Sequence, residues 1–147
     1  MFISTKGRYA LRLMLDLAVT GADGQTVPLK KISESQHISL KYLEQIIPVL
    51  TRAGFVKSIR GAQGGYRLVK EPKDYTVGMI LRITEGTLAP VSCLEDDVNQ
   101  CDRSSTCQTL FVWEKIYAAI NDIVDGITLQ DIIDRSDGVS GVGDYCI

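Results

Sequence analysis

The chain lacks the features that mark membrane proteins, secreted proteins and most enzymes. No apolar run in its 147 residues approaches the roughly 20 residues of a membrane span, and no signal-peptide core precedes a small-residue cleavage site. We therefore expect a cytoplasmic protein without membrane contact. The chain has one histidine, His37, and no acid–base pair in a glycine-lined stretch. An enzyme is the least favoured class, and a Ser/Cys–His arrangement is the catalytic pattern left open.

Internal repeats and low-complexity segments are also absent, and the length suits one core or a small core with an appended element. Charge, however, is divided unevenly along the chain. Residues 1–70 hold 11 Lys and Arg against 4 Asp and Glu, a net charge of +7. Residues 71–147 hold 5 against 14, a net charge of −9. The basic first half fits a phosphate backbone and therefore favours nucleic acid as the partner.

A helix followed by a tight hairpin is predicted between Ser39 and Lys70. Ser39 is a good N-cap, and Gly54 ends the helix as a C′ glycine does. Apolar residues recur at helical spacing and are expected to face a core: Leu40, Leu43, Ile47 and Leu50. Residues 55–60 and 66–70 are predicted to form two short strands around the glycine-rich loop 61–65. This pattern is typical of a recognition helix followed by a β-wing.

Polar residues on the outer face of this helix suit base edges in a major groove, although such faces are often only solvated. Arg60 stands at the base of the wing, where a guanidinium can enter a minor groove. Basic residues near the start of the first helix, among them Arg12, either meet phosphate or are solvated. The residues assigned to DNA contact are Ser39, Lys41, Tyr42, Glu44, Gln45, Arg60, Gly61, Gln63, Gly64, Lys6 and Arg8.

The remaining elements complete a winged helix-turn-helix over residues 1–86. A first helix is predicted over residues 1–20, capped by Ser4 or Thr5, with an apolar stripe of Ala10, Leu11, Met14, Leu15 and Ala18. A short helix from Pro28 to Gln36 precedes a turn at His37. Another helix follows over residues 77–85. The fold class is thus mainly α with a small β-wing, extended by a long dimerisation helix.

The longest predicted helix, residues 110–127, carries an apolar stripe that the rest of the chain is too short to cover. A second copy of the helix would cover it, which favours a symmetric homodimer with two reading heads for a two-fold operator. The stripe contains Trp113, Ile116, Tyr117, Ile120, Ile123 and Val124. Thr128 and Asp131 resemble a capping box for a last short helix to about residue 135. We assign residues 108–135 to dimerisation and residues 136–147 to a flexible tail.

Three cysteines lie in or next to an irregular loop, residues 87–107, which we assign to sensing. Cys93, Cys101 and Cys107 are spaced C-x7-C-x5-C, without the paired C-x2-C knuckles of structural zinc sites. Three thiolates in a loop suit a soft metal centre, and an iron–sulfur cluster takes three thiolates plus one further ligand. Three unrelated cysteines and a thiol redox switch are the alternatives.

These segments resemble the Rrf-type family of winged-helix regulators, whose members include the IscR, CymR and NsrR types. The resemblance runs from about residue 2 to residue 135 and rests on STKGRYALRLMLDLA, SLKYLEQI, SIRGAQGGYRL and ITLQDII. It implies a homodimer that binds operator DNA, with the dimerisation helix crossing to the partner. The DNA-reading positions that it implies are Ser39, Tyr42, Glu44, Gln45 and Arg60.

Cluster-bearing members of this family carry three cysteines in the same loop, which implies iron–sulfur ligand roles for Cys93, Cys101 and Cys107. The fourth ligand is not implied, because Leu110 stands where IscR-type members have histidine and Arg8 where NsrR-type members have an acid. CymR-type members lack the triad but have a similar tail. The final residues, with Tyr145 and Ile147, also look like the end of serine acetyltransferase, which docks into cysteine synthase. A cluster-free regulator of cysteine metabolism, controlled by cysteine synthase, is the alternative function.

Overall fold

The computed structural model describes residues 3–139. Over this range the chain forms six α-helices and one two-stranded antiparallel sheet, which confirms a mainly α fold with a small wing. The elements are α1 (Thr5–Thr20), α2 (Leu29–Gln36), α3 (Leu40–Arg52), β1 (Val56–Ile59), β2 (Gly65–Leu68), α4 (Val77–Glu85), α5 (Leu110–Gly126) and α6 (Leu129–Val139). Short 3-10 turns occupy Pro72–Asp74, Ser92–Leu94 and Ser104–Thr106. Within residues 3–139 no helix is long and apolar enough to cross a membrane.

The start of α1 is held by the end of α4. The Ser4 hydroxyl caps α1 by accepting from the Gly7 amide at 3.2 Å, as predicted for this residue. The Ser4 amide and hydroxyl in turn donate to Glu85 Oε1, at 3.2 and 2.7 Å. An added Cβ at Gly7 would collide with this carboxylate, so the glycine allows α1 and α4 to approach closely.

The turn between α2 and α3 is built on His37, as predicted. Its backbone is left-handed, with φ 53° and ψ 42°, a conformation that histidine adopts more readily than most residues. Asp16 of α1 is 9 % exposed and binds α2, because its carboxylate accepts a hydrogen bond from Ser35 Oγ at 2.7 Å. The same carboxylate accepts from Thr20 Oγ1 of α1 at 3.3 Å. A buried, hydrogen-bonded carboxylate therefore connects the helix-turn-helix to α1.

The core lies between α1, α3, α4 and the hairpin, and it corrects the predicted apolar stripes. Leu13, Leu17 and Ile46 are fully buried although the stripes omitted them. Leu40 was expected in the core but is 41 % exposed. This prediction was wrong because Leu40 is the first residue of α3, and a helical side chain leans toward the turn before its own Cα.

The hairpin pairs Val56 with Leu68 and Ile59 with Gly65. Tyr75, in the segment between β2 and α4, is 1 % exposed and holds the base of this hairpin. Its hydroxyl donates to the Phe55 carbonyl at 2.9 Å and accepts from the Lys70 amide at 2.9 Å. Burial raises the pKa of Tyr75 above its ordinary value, so the hydroxyl keeps its proton and can make both bonds.

The last helix packs against the core of the winged helix rather than standing apart with α5. Leu129 is completely buried in that core, and Thr76 bridges to Thr128. The capping box is present, because the Thr128 amide donates to Asp131 Oδ2 at 2.8 Å while the Asp131 amide donates to Thr128 Oγ1 at 3.1 Å. The division into residues 1–86, 87–107, 108–135 and 136–147 stays a prediction, with α6 contributing to the core of the first unit.

Candidate nucleic-acid interface

The outer face of α3 presents polar side chains at the positions that the sequence predicts. Ser39 caps the helix, with its hydroxyl accepting from the Tyr42 amide at 3.2 Å. Lys41, Glu44 and Gln45 are exposed, whereas Tyr42 is half-buried. A capped helix N-terminus with free polar groups can enter a major groove and present donors and acceptors to base edges.

An aromatic and cationic stack that the sequence did not reveal holds Tyr42 in place. The Tyr9 ring of α1 meets the Tyr42 ring edge-on, with centroids 5.3 Å apart. The Arg12 guanidinium lies 5.5 Å from the Tyr9 centroid, and it donates to Gln36 Oε1 at 3.1 Å and to the Gln36 carbonyl. Arg12 thus binds the end of α2 and supports Tyr42 through Tyr9, rather than extending freely toward phosphate.

The wing loop is shaped by its glycines and held at its tip. Gly61 has φ 118°, which only glycine adopts without strain. The Gly64 amide donates to the Gly61 carbonyl at 2.9 Å, and a Cβ at Gly64 would lie 2.7 Å from the carbonyl oxygens of Ile59 and Gly61. The hydroxyl of Thr26 donates to the Gln63 carbonyl at 2.5 Å. Arg60 is exposed at the base of this loop.

The start of α1 lies beside α3, because Tyr9 contacts Tyr42. Lys6 is half-buried and Arg8 is exposed, and Arg8 Nη2 donates to Thr5 Oγ1 at 3.0 Å. The predicted base-reading residues, the wing and these two cations therefore belong to neighbouring elements of one unit. Their roles in DNA contact stay predictions.

The cysteine loop does not bring its three thiols together in this conformation. Cys93 is half-buried, whereas Cys101 and Cys107 are exposed, and all three are free thiols. Cys93 and Cys101 line one shallow groove with Ser92 and Gln100, and Cys107 lies outside it. Between residues 3 and 139 no three His, Cys, Asp or Glu side chains converge to hold a metal. The donor set suits iron–sulfur chemistry, but its arrangement here does not form that site.

Cys107 differs from the other two thiols in its surroundings. Its Sγ lies 3.5 Å from the Thr109 hydroxyl, and the pKa of Cys107 is lowered from its ordinary value chiefly by that contact, with further help from the Thr109 backbone. A lowered pKa favours the thiolate, which is the form that binds metals and reacts with oxidants.

The predicted dimer stripe on α5 is left partly open within a single chain. Ile116 and Ile123 are 40 % and 62 % exposed, and Phe111, which the prediction omitted, is 59 % exposed. The other four stripe residues are half-buried: Trp113, Tyr117, Ile120 and Val124. The predicted tail contacts, Tyr145 and Ile147, lie outside the described residues.

Comparison with known proteins points to one family of regulators. The chain matches the Rrf2 family model, described as an iron-dependent transcriptional regulator, over residues 3–135. It is 43 % identical to the HTH-type transcriptional regulator CymR of Bacillus subtilis strain 168 over 138 residues, 94 % of each chain.

Two solved structures resemble the fold over nearly its whole length. IscR from T. potens superposes with a TM-score of 0.78 at 41 % identity, covering 99 % of this chain and 95 % of that one. CymR, described as the global cysteine regulator of B. subtilis, superposes with a TM-score of 0.75 at 37 % identity, covering 92 % and 98 %.

Proposed function

Because the chain belongs to the Rrf2 family of DNA-binding transcriptional regulators and is not an enzyme, we propose that it acts as a homodimer, most simply a repressor, on operator DNA. The observation that carries this is the capped helix α3, with exposed Lys41, Glu44 and Gln45, beside a wing with exposed Arg60 at the base of its loop. In this proposal α3 reads base edges and Arg60 enters the adjacent minor groove. Lys6 and Arg8 neutralise phosphates at the edge of the site.

We propose that residues 87–107 sense iron–sulfur supply, redox state or nitric oxide. Support comes from three thiols in one loop, from the iron-dependent description of the matched family and from the similarity to T. potens IscR. Cys93, Cys101 and Cys107 would hold the cluster, which supplies a redox-sensitive centre when bound. Cys93 and Cys101 already share a groove, so the loop would have to bring Cys107 toward them.

The chain itself offers a route from this loop to the DNA-binding unit. Cys107 lies three residues before the first residue of α5, and α5 packs on α4 of the DNA-binding unit. A change in the loop would therefore shift the start of α5 and with it the spacing of the two heads in a dimer.

Anaerobic absorption spectroscopy tests the cluster proposal. The protein reconstituted with iron and sulfide should show visible charge-transfer bands, and Cys93→Ala, Cys101→Ala and Cys107→Ala should each lose the bound iron while remaining dimeric. Ser105→Ala, which changes an exposed side chain of the same loop, is the matched control. A colourless protein, or retention of iron and sulfide by all three cysteine variants, would show that the ligand assignment is wrong.

A cluster-free regulator of cysteine metabolism is the second candidate, favoured by the 43 % identity to B. subtilis CymR. In this reading Tyr145 and Ile147 bind cysteine synthase, as the resemblance of the tail to serine acetyltransferase implies. A peptide of residues 137–147 should then bind cysteine synthase from the same cell in competition with O-acetylserine. Deleting Ile147 should abolish this binding and leave operator binding intact. No heat of binding in calorimetry would remove the candidate.

A further inference from the structure

A broad groove lies on the DNA-binding unit outside α3. Its walls are the second half of α1 with the loop that follows, the hairpin strands, the turn Pro72–Asp74 and one side of α6. We call it the back groove, and its volume is about 1250 Å³. Of the described residues that line it, none belongs to α3, to the wing loop 60–64 or to the start of α1. The back groove is thus separate from the surface proposed for DNA.

Two cations face each other in the back groove without an acidic partner. Arg67 of β2 is directly opposite Lys57 of β1 in the hairpin register, and like charges at such positions repel. Of the acids in residues 3–139, none forms a salt bridge with either cation. Lys73, on the same groove, differs because Glu71 binds it at 2.7 Å.

The Arg67 guanidinium is also incompletely hydrogen-bonded. Its Nε is buried and finds no acceptor in the part of the chain that the structure describes. Its Nη1 makes only a long hydrogen bond, 3.4 Å, to the Gly24 carbonyl. A buried donor of a charged group without an acceptor is costly, and the rest of the guanidinium, which lines the back groove, can still take up an acceptor there.

Apolar surface adjoins the two cations. Val19 and Val69 line the same groove and are 56 % and 49 % exposed, and the half-buried Leu15 and Leu68 lie there as well. Besides Glu71, the acids that line the groove are Asp74 of the turn Pro72–Asp74 and Asp137 of α6, and neither belongs to the hairpin that carries the two cations. A ligand that fits this surface carries one compact negative group and a short apolar chain.

We propose that the back groove binds a small carboxylate with a short apolar chain. The carboxylate accepts from Arg67 and pairs with Lys57, since the planar guanidinium fork matches carboxylate geometry. The apolar chain covers Val19 and Val69, which are now open to solvent.

Such a ligand would act on the wing through contacts that are already present. Arg67 touches the Gly24 carbonyl in the loop between α1 and α2, and Thr26 of that loop holds the Gln63 carbonyl at the wing tip. Val27 and Tyr66 exchange two backbone hydrogen bonds, of 2.8 and 2.9 Å. Occupation of the back groove would therefore change the mobility of the wing and, on the DNA-binding function proposed above, the affinity for operator.

NMR titration of the full-length protein with sodium hexanoate tests the site, with hexanamide as the neutral analogue. Hexanoate should cause saturable shifts of the amides of residues 21–24 and 67–70, at constant ionic strength, and hexanamide should cause none there. Arg67→Gln should weaken hexanoate binding about tenfold and Lys57→Gln a few-fold, because each removes one charge-assisted contact. Arg135→Gln, which removes an exposed cation of α6 outside the groove, should leave it unchanged.

Several results would overturn the proposal. These are the absence of saturable shifts, equal shifts with hexanamide, or unchanged hexanoate affinity in Arg67→Gln. If hexanoate shifts the amide signals of residues 140–147 and not those of residues 21–24 and 67–70, the proposed ligand is wrong and the groove belongs to the chain's own last residues. The binding readout needs no DNA, so its failure is distinct from a failure of operator binding. If hexanoate binds but does not change operator affinity in gel-shift titrations, the coupling to the wing is wrong.

Discussion

Arg82 of α4 holds the Asp125 carboxylate of α5 through two hydrogen bonds, 2.6 Å from Nη1 and 2.9 Å from Nη2. Nη2 also donates to Asn121 Oδ1 at 2.6 Å. Within residues 3–139 α5 has no fully buried residue, and these polar contacts add to its half-buried apolar side chains in attaching it to the DNA-binding unit. The helix proposed for dimerisation is thus fastened in its second half, whereas its first turn follows the cysteine loop.

Asp125→Asn should lower stability at neutral pH and lose that effect in acid. The hydrogen bond from Arg82 lowers the pKa of Asp125 below its ordinary value of 3.8. Because the folded-state pKa is the lower one, the stabilisation is complete above 3.8 and is lost as pH falls through the lowered value. We expect a loss of at most about 1 kcal/mol at neutral pH, since the two side chains are 35 % and 47 % exposed.

Urea unfolding at a fixed protein concentration, from neutral pH to below 3.8, measures this difference between variant and wild type. Asp122→Asn, which changes another exposed acid of α5, is the control. A stability difference that persists unchanged below the lowered pKa of Asp125 would contradict the assignment.

Gly78→Ala should disturb the contact between Arg82 of α4 and Asp125 of α5. An added Cβ would lie 2.6 Å from Arg82 Nη1 and 3.0 Å from Val124 Cγ2, and it would collide with the Asp125 carboxylate. The gain in helix propensity, about 1 kcal/mol, opposes an overpacking cost of about 1–3 kcal/mol, so we expect a net loss in urea unfolding. Gly126→Ala is the matched control, because nothing lies within 4 Å of its Cβ. A Gly78→Ala protein as stable as wild type would show that the Arg82 and Asp125 side chains rearrange around the added methyl group without a net cost.

Local signals allowed the framework to be predicted from the sequence. Thr76 caps α4 by accepting from the Met79 amide, and Gly86 ends that helix with φ 82°. The Thr128 capping box and the left-handed His37 depend likewise on residues within a few positions of each other. Such patterns are readable because caps and turns satisfy backbone groups locally.

Contacts between distant parts of the chain were not predictable in this way. Arg82 and Asp125 are 43 positions apart, and Tyr75 binds a carbonyl 20 positions away. No motif in the neighbouring residues distinguishes Arg82, Asp125 or Tyr75, so the sequence gives no signal for these contacts. For the same reason the spacing of Cys93, Cys101 and Cys107 indicated ligand chemistry but not whether the loop closes. Whether the loop brings the three thiols together depends on its tertiary contacts rather than on residue type.

Arg60→Ala and Lys6→Ala should affect DNA binding in different ways. If exposed Arg60 enters a minor groove, its loss should weaken operator binding by about 1–3 kcal/mol and affect non-specific DNA less. If Lys6 contacts phosphate, its loss should weaken both kinds of DNA alike and flatten the salt dependence by about one unit of slope. Gel-shift titrations at several salt concentrations measure both, with Arg135→Ala as the control. Unchanged operator affinity of Arg60→Ala would show that the wing assignment is wrong.

Ile123→Asp should dissociate the proposed dimer. Ile123 is 62 % exposed and Ile116, seven residues earlier on the same helical face, is 40 % exposed, so within residues 3–139 this apolar surface is left open. Burial of each isoleucine against a second α5 would contribute about 1.5–3 kcal/mol, and an aspartate there would instead bury an unpaired charge in both subunits. Analytical ultracentrifugation should show monomers at concentrations where the wild type is dimeric.

Operator affinity should fall together with dimerisation in this variant, because two linked heads no longer bind one duplex. Lys115→Asp introduces the same acid on another side of α5 and should remain dimeric. Circular dichroism would confirm that both variants keep their helices. A dimeric Ile123→Asp protein would show that the exposed face of α5 is not the interface, and the spacing of the two reading heads would then have to be set by another surface.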